Sequence, residues 1–368
     1  MKGRRPRPLD DGDSGRDKGI GLVMMGKTNS KSSGESLAEL SATIIPMAIT
    51  STFKPFQISN AAKAIKEGNL VAFPTETVYG LGADATNGNA VSKIYSVKGR
   101  PTDHPLIVHI SSINKIEDWA TDIPDYAIKL AREFWPGPMT LILPRTKLAK
   151  DFITGGQDNV GIRVPQHTVA QALLKAFESQ GGFGVAAPSA NRFGKVSPTC
   201  ADDVKSELAD YLSTDDLILD GGQSEVGVES TIIDCTKLTP MILRPGAITA
   251  TMINDLLQIQ IEVLTNTSSN QIKASGLLQS HYAPKAKVFL STKANPGDGF
   301  IALANTPTPD GAIRLAAPKN NKEYAQLLYQ ALRLADTKQL QNVIVIPPTG
   351  DDLAVAICDR LEKSAYQG

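Results

Sequence analysis

The stretch Leu70-Val71-Ala72-Phe73-Pro74-Thr75-Glu76-Thr77-Val78-Tyr79-Gly80-Leu81-Gly82 decides the fold. Its first four residues read as a buried strand. Pro74 stops that strand, because proline has no N–H to give to a ladder. Thr75 and Thr77 then place hydroxyls where the strand ends, and Gly80 and Gly82 are expected to let the backbone turn and approach a ligand. Strand ends are where open α/β sheets bind ligands. Three further segments have the same character: Lys98-Gly99-Arg100-Pro101, Ala187-Pro188-Ser189-Ala190-Asn191 and Gly227-Val228-Glu229-Ser230-Thr231. Each follows or interrupts an apolar run and carries small, hydroxylated or basic residues. Together they are expected to wall one anion-binding cleft.

Around these segments, apolar runs and helical periodicity alternate. Helices are expected over 59–67, 90–95, 124–134, 168–178 and 201–212, and strands over 70–73, 105–110, 139–143, 160–164, 184–187, 217–219, 230–234 and 241–243. This is a mixed α/β domain. Asn266-Thr267-Ser268-Ser269-Asn270 has linker composition, and Ser280-His281-Tyr282-Ala283-Pro284 places an aromatic inside a loop. Beyond it the pattern restarts, with strands over 288–290, 300–303, 313–316 and 343–346. Tyr324, Leu327, Leu328 and Ala331 lie at helical spacing between the last two. A small, mostly parallel α/β domain is expected there. The organisation is therefore a larger domain over 47–262, a linker or lid over 263–285 and a smaller domain over 286–368.

Residues 1–46 are rich in Arg, Ser and Gly and lack sustained periodicity, so they are expected to be a disordered extension or a start-site artefact preceding Met47. Within them, Gly21-Leu22-Val23-Met24-Met25-Gly26-Lys27-Thr28 matches the P-loop pattern letter for letter. It lacks the preceding buried strand and following helix that make a phosphate cradle, and it reads as a false match. Lys+Arg and Asp+Glu both number 38 of 368 residues, so a strongly basic nucleic-acid binder is not indicated. Cys200, Cys235 and Cys358 form neither metal spacing nor a disulfide framework, which suits reduced thiols in a cytoplasm. No apolar run approaches the roughly 20 residues needed to span a bilayer.

Individual residues sharpen the cleft. Lys98 and Arg100, if extended, point the same way and can grip successive phosphates. His104 and His109 are spaced like metal ligands, but no Cys or His set accompanies them. His109, inside an apolar run, reads as a core histidine, and His104, beside Arg100, as a phosphate or ribose contact. Arg163 interrupts an apolar strand and must find a carboxylate or a phosphate, whether in a structural salt bridge or on a ligand. Ser189 has no His–Asp pair placed to activate it, so its segment reads as binding rather than acylating. Ser230 and Arg244 can face the same cleft.

These motifs, in this order, resemble the YrdC/Sua family of threonylcarbamoyl-AMP synthases over about residues 50–368. Lys98-x-Arg100 with Ser189-x-Asn191 is similar to the family's basic and Ser/Asn cleft signature. The part after Ser280-His281-Tyr282-Ala283-Pro284 resembles the extra domain of the long, two-domain form. Ala274-Ser275-Gly276-Leu277 departs from the Ser-Pro-Gly-Met-like stretch of that form. The resemblance implies a YrdC-like mixed twisted sheet flanked by helices, plus a smaller Rossmann-like parallel α/β domain. It implies a nucleotidyltransferase making threonylcarbamoyl-AMP and pyrophosphate from L-threonine, bicarbonate or CO₂, and ATP. The product would pass to the transferase that modifies tRNA next to the anticodon. Lys98 and Arg100 would be catalytic. Thr77, His109, Arg163, Ala187 and Ser230 would line the threonine side. Arg100, His104, Asn159, Ser189, Asn191, Ser197 and Arg244 would line the nucleotide side, with Tyr282 closing over it. Magnesium is expected on the ATP phosphates, held mostly by them and by water rather than by a protein cage. The competing expectation is a non-enzymatic module binding double-stranded RNA or tRNA, for which clustered surface aromatics would be needed. Carbamoyl transfer of the hydrogenase-maturation kind would need zinc-finger cysteines that the chain lacks.

Overall fold

The computed structural model describes residues 55–264, 272–276 and 281–366. The extension and its P-loop-like stretch lie outside these residues, as does part of the linker. Ten strands form the larger sheet: β1 (Val71–Phe73), β2 (Gly80–Asp84), β3 (Ile107–His109), β4 (Met139–Pro144), β5 (Asn159–Arg163), β6 (Val185–Ala186), β7 (Leu217–Ile218), β8 (Thr231–Asp234), β9 (Met241–Arg244) and β10 (Glu262–Val263). Their order is β10-β9-β8-β4-β5-β3-β6-β2-β1-β7. The sheet is mixed: β1–β2, β2–β6, β3–β6, β4–β5 and β8–β9 are antiparallel, while β1–β7, β3–β5, β4–β8 and β9–β10 are parallel. The helices α1 (Pro55–Lys66), α2 (Gly88–Lys98), α3 (Ile116–Trp119), α4 (Asp125–Phe134), α5 (Asp151–Thr154), α6 (Thr168–Ser179), α7 (Ala201–Leu208) and α8 (Ala250–Leu257) accompany it.

Helix faces follow the apolar spacing. In α6, Val169, Ala170, Leu173, Leu174 and Phe177 are buried and pack with Ala61, Ala62 and Ile65 of α1 against β1. In α2, the Asn87 side chain caps the first turn by accepting from the N–H groups of Asn89 and Ala90. Ala90, Val91, Ile94 and Tyr95 face the main core.

The smaller sheet comprises β11 (Lys287–Leu290), β12 (Gly299–Ile301), β13 (Ile313–Ala316) and β14 (Asn342–Val345), in the order β11-β14-β12-β13 and parallel throughout. The helices α9 (Asn321–Thr337) and α10 (Leu353–Ala365) belong to it. Asn320 caps α9 through the Glu323 N–H, and the Glu323 carboxylate accepts from the Lys319 N–H. The core of this domain does not stop at its own elements. Tyr324, Leu328, Tyr329 and Ile357 cluster with Val78, Val196 and Val228 from the loops of the larger sheet.

Two local expectations are corrected. Gly80 and Gly82 do not turn the chain, because both lie in β2, antiparallel to β1. A Cβ at Gly82 would stand 2.8 Å from the Phe73 ring and 2.8 Å from Val185 Cγ1. Glycine is there for close packing between strands; the turn is made by 74–79. Lys98 and Arg100 are not an extended pair. The helix expected over 90–95 continues to Lys98 and ends at Gly99 in the left-handed region (φ +61°). That break sends the two side chains to different places.

Candidate functional site

The cleft lies where the loop after β1, the 187–191 loop, the segment before β8 and the end of β9 meet residues 275–276 and 281–282. The empty space it spans is about 540 Å³, open solvent at the mouth included. Thr77, Arg100, His109, Arg163, Ala187, Ser189, Ser230, Arg244 and Tyr282 all line it.

Arg163 ends β5, and its guanidinium is held on three sides. Nη2 donates to Glu76 Oε1 at 2.6 Å, Nη1 to Thr77 Oγ1 at 2.8 Å and Nε to the Gly137 carbonyl at 3.3 Å. Glu76 in turn accepts from the Gln166 N–H at 3.0 Å. Both charged side chains are almost wholly buried, 5% and 3% exposed. The expected carboxylate is thus supplied by the chain, from the segment that opened the sequence reading. A guanidinium has five N–H donors, so two remain for a ligand in the cleft. His109 ends β3 in the same wall, with Nδ1 3.2 Å from the Ile107 carbonyl. Burial first, and then the positive charge of Arg163, hold its pKa down to about 3; the ring is neutral at physiological pH.

Ser230 precedes β8, and Arg244 closes β9. Arg244 donates from Nε and Nη2 to the Ser230 carbonyl (3.1 and 2.9 Å), from Nη2 to Ser230 Oγ (3.2 Å) and from Nη1 to the Ser275 carbonyl (2.9 Å). Thr140 Oγ1, on β4, lies 2.8 Å from Ser230 Oγ and fixes that hydroxyl from behind. Gly246 permits the approach of the two strands, since a Cβ there would lie 2.3 Å from the Thr231 nitrogen.

Arg100 reaches the cleft from the end of α2. Its Nη2 donates to the Pro105 carbonyl (3.0 Å) and to Ser275 Oγ (3.2 Å), while Nε is buried without a partner. Burial lowers its pKa to about 10, so it stays cationic at neutral pH. Tyr282 Oη and His281 Nδ1 are likewise buried and unpartnered. The cleft thus concentrates positive charge and unpaired polar atoms, whereas Glu229 in its wall and Glu76 behind Arg163 are already bonded to protein donors.

Other expected residues sit behind or beside the cleft. Lys98 Nζ donates to the Ser189 carbonyl at 2.6 Å and to the Asn191 carbonyl. It is buried, and desolvation followed by repulsion from Arg100 pushes its pKa well below the ordinary lysine value. Asn191 Nδ2 donates to the Arg192 and Lys195 carbonyls, at 2.7 and 2.8 Å. These bonds shape the loop that presents Ser189, which also pairs with Gly80 across a bridge. Ser197 Oγ donates to Glu229 Oε1 at 2.6 Å. His104 stacks edge-on to Phe193, with centroids 5.3 Å apart, at the margin. Asn159 lies in an adjoining hollow under Lys273, Ala274 and Ser275. The residues that sequence reasoning missed are Glu76, Thr140, Glu229, Ser275 and His281. The two glutamates stand inside quoted segments but had no visible partner, because those partners are remote in the chain.

A family model described as "Telomere recombination" (Sua5_yciO_yrdC) matches residues 63–246, and one described as "Threonylcarbamoyl-AMP synthase, C-terminal domain" (Sua5_C) matches residues 248–366. The chain belongs to the Sua5/YciO/YrdC family. Among the family's proteins, a threonylcarbamoyl-AMP synthase of Pyrococcus abyssi is 38% identical over 327 residues, covering 84% of this chain and 94% of the relative. The Bacillus subtilis threonylcarbamoyl-AMP synthase is also 38% identical, covering 84% and 93%. The crystal structure of P. abyssi Sua5 complexed with L-threonine superposes with a TM-score of 0.77 at 36% identity, over 85% of this chain and 95% of that one. Membership agrees with the observed architecture of a large mixed sheet and a separate parallel one. Within the family, this chain is an enzyme of the two-domain form.

Proposed function

We propose that the protein is an L-threonylcarbamoyladenylate synthase, a nucleotidyltransferase that joins L-threonine, bicarbonate or CO₂, and ATP into threonylcarbamoyl-AMP and pyrophosphate. The observation that carries this reading is the cleft's pairing of a pinned guanidinium, Arg163, with a second cationic wall, Arg100 and Arg244. The first suits an amino acid's carboxylate and the second a triphosphate. The named relatives and the threonine complex of P. abyssi Sua5 support the same assignment.

The chemistry asks for no protein nucleophile. The threonine nitrogen attacks CO₂ and loses a proton, or attacks bicarbonate with loss of water, giving a carbamate. A carbamate oxygen then forms a bond to the α-phosphorus, and the bond from that phosphorus to the bridging oxygen breaks, with the electron pair leaving on pyrophosphate. The chain's contribution is positioning and charge neutralisation. Arg163 and Ser230 orient threonine beside the neutral His109, while Arg100, Arg244 and the Ser189 loop hold the nucleotide. Lys98 acts through that loop by holding its carbonyls. Tyr282, 1% exposed, covers the cleft and excludes water from a labile carbamate and its adenylate. Magnesium would enter with ATP, neutralising phosphate charge. Among the described residues no group of three or more His, Cys, Asp or Glu could hold a metal ion.

The product would serve the transferase that completes threonylcarbamoyladenosine in tRNA, and the site of action would be the cytoplasm. Among the described residues no helix is long and apolar enough to cross a membrane. RNA stacking finds little support in the cleft, because Tyr282 is packed against Tyr329 rather than presented; any RNA contact would be weak and electrostatic. The test is pyrophosphate release from ATP, Mg²⁺ and bicarbonate with each amino acid in turn. Release should require threonine. Release with no amino acid, or equally with all, would refute the assignment.

A further inference from the structure

We propose that Arg360, in α10 of the smaller domain, is a positioning residue for this reaction: one guanidinium spans the two backbone segments that carry Ser230 and Arg244 and holds them in register beneath Tyr282. The inference rests on the synthase reading above and extends it to a residue outside the cleft.

The geometry is specific. The Arg360 side chain is wholly buried. Nε donates to Glu229 Oε2 at 2.8 Å, and Nη2 donates to the Pro245 carbonyl at 3.0 Å. Glu229 immediately precedes Ser230, and Pro245 immediately follows Arg244. Since Arg244 itself donates to Ser230, Arg360 closes the same pair of segments from the opposite side. Its third nitrogen, Nη1, pairs with Asp359, which fixes the direction of the fork. The guanidinium carbon also lies 5.3 Å from the Tyr282 ring centroid, within cation–π range.

Tyr329 of α9 completes the arrangement. Its hydroxyl donates to Glu229 Oε2 at 2.9 Å, and its ring stacks on Tyr282 with centroids 5.8 Å apart and planes at 25°. Glu229 therefore accepts three side-chain bonds, from Ser197 of the larger domain and from Tyr329 and Arg360 of the smaller one. Burial pulls the Glu229 pKa up, but the charges of Arg360 and Arg244 outweigh burial and bring it down to about 2; the group is an anion throughout the working pH range. A buried ion pair is weak evidence for stability, because packed apolar residues often serve as well. A planar fork with three separate acceptors, two of them flanking active-site residues, is what a positioning role requires.

The tests are Arg360→Lys and Tyr329→Phe in the full chain, with Tm measured for each. Lysine keeps the charge but, as a point donor, does not span Glu229 and Pro245 together. At temperatures where each protein is folded, Arg360→Lys should lower kcat for threonine-dependent pyrophosphate release by about tenfold or more, as small misplacements of reacting groups do. Affinity for inorganic pyrophosphate, read by calorimetry, should fall in parallel through the displaced Arg244. Tyr329→Phe keeps the ring stack and removes one bond to a charged acceptor, so it should lower Tm by only a few degrees, leaving the protein folded, while lowering kcat about threefold or more. A folded Arg360→Lys protein with kcat and pyrophosphate affinity both within about twofold of the parent would overturn the proposal. If Arg360→Lys does not fold, Tyr329→Phe decides alone, and an unchanged kcat overturns it. A parent protein that releases no pyrophosphate would instead sink the synthase reading, while pyrophosphate affinity would still report the positioning.

Discussion

Replacing Arg163 by alanine separates two roles carried by one guanidinium. The first is structural. The change leaves Glu76, 3% exposed, without its cation and bonded to the Gln166 N–H. Breaking a buried pair on one side costs about 3–5 kcal/mol. For a domain of this size each kcal/mol shifts Tm by about 2–4 °C, so a fall of roughly 6–20 °C is expected. The second role is on the ligand. A charge-assisted bond to a carboxylate contributes about 1.5–3 kcal/mol, so losing it should weaken threonine by roughly 10- to 150-fold. The double variant Glu76→Gln/Arg163→Met resolves the two. It removes both charges, which should recover much of the lost Tm, yet it still lacks the guanidinium and should keep the threonine defect. Tm by scanning calorimetry and threonine and ATP KM by pyrophosphate release are the measurements. A folded Arg163→Ala protein with unchanged threonine KM would refute the ligand role and leave Arg163 as a salt bridge only.

Three other perturbations test different walls of the cleft. Lys98→Ala leaves the Ser189 and Asn191 carbonyls without their buried donor, at about 1–3 kcal/mol for each unsatisfied group; Tm and pyrophosphate release should fall together, and a large loss of rate at unchanged Tm would show direct contact with substrate instead. Gly276→Ala places a Cβ 2.3 Å from Tyr282 Oη at φ +80°, where a non-glycine residue also costs about 1–2 kcal/mol. Tm should fall by a few degrees from this strain and kcat should drop as well, and an unaltered kcat would show that Tyr282 need not stay where it is. Burial, the first cause in each case, holds His109 and His281 down to about 3, against about 6.5 in the unfolded chain. The unfolded chain then binds more protons between these values, so the stability these groups contribute is present above about pH 6.5 and lost as pH falls towards 3. Tm should decline from pH 6.5 to 5, less steeply in His281→Gln, and a flat profile would contradict the buried neutral rings.

Most strands were legible because they are apolar runs punctuated by Pro, Gly or a polar loop, as at Leu70–Phe73 followed by Pro74; β2, rich in glycine, and β10, two exposed residues, were not. The parallel character of the smaller domain was legible for the same reason, from strands separated by a helix-length interval. Gly82 misled because glycine's two uses, turning and close packing, leave the same letter; only the Phe73 ring and Val185 distinguish them. Lys98-Gly99-Arg100 misled because a left-handed cap reads like a loop until the helix before it is seen to continue. Arg163 announced that it needed a partner, but Glu76 lies 87 residues away. Arg360 gave no signal, since an arginine on an amphipathic helix ordinarily faces water, and its acceptor is 131 residues distant. The split of the cleft into threonine and nucleotide sides came from family resemblance; the geometry adds which donors remain unpaired there.

The most direct test of the central claim is isotopic. The protein is incubated with ATP, Mg²⁺, L-threonine and ¹³C-bicarbonate, and the nucleotide product is trapped cold and read by mass spectrometry. A threonine–AMP conjugate carrying one labelled carbon, formed in step with pyrophosphate, is the predicted result. Pyrophosphate release with an unlabelled threonyl adenylate, or with AMP alone under conditions that preserve the conjugate, would contradict it.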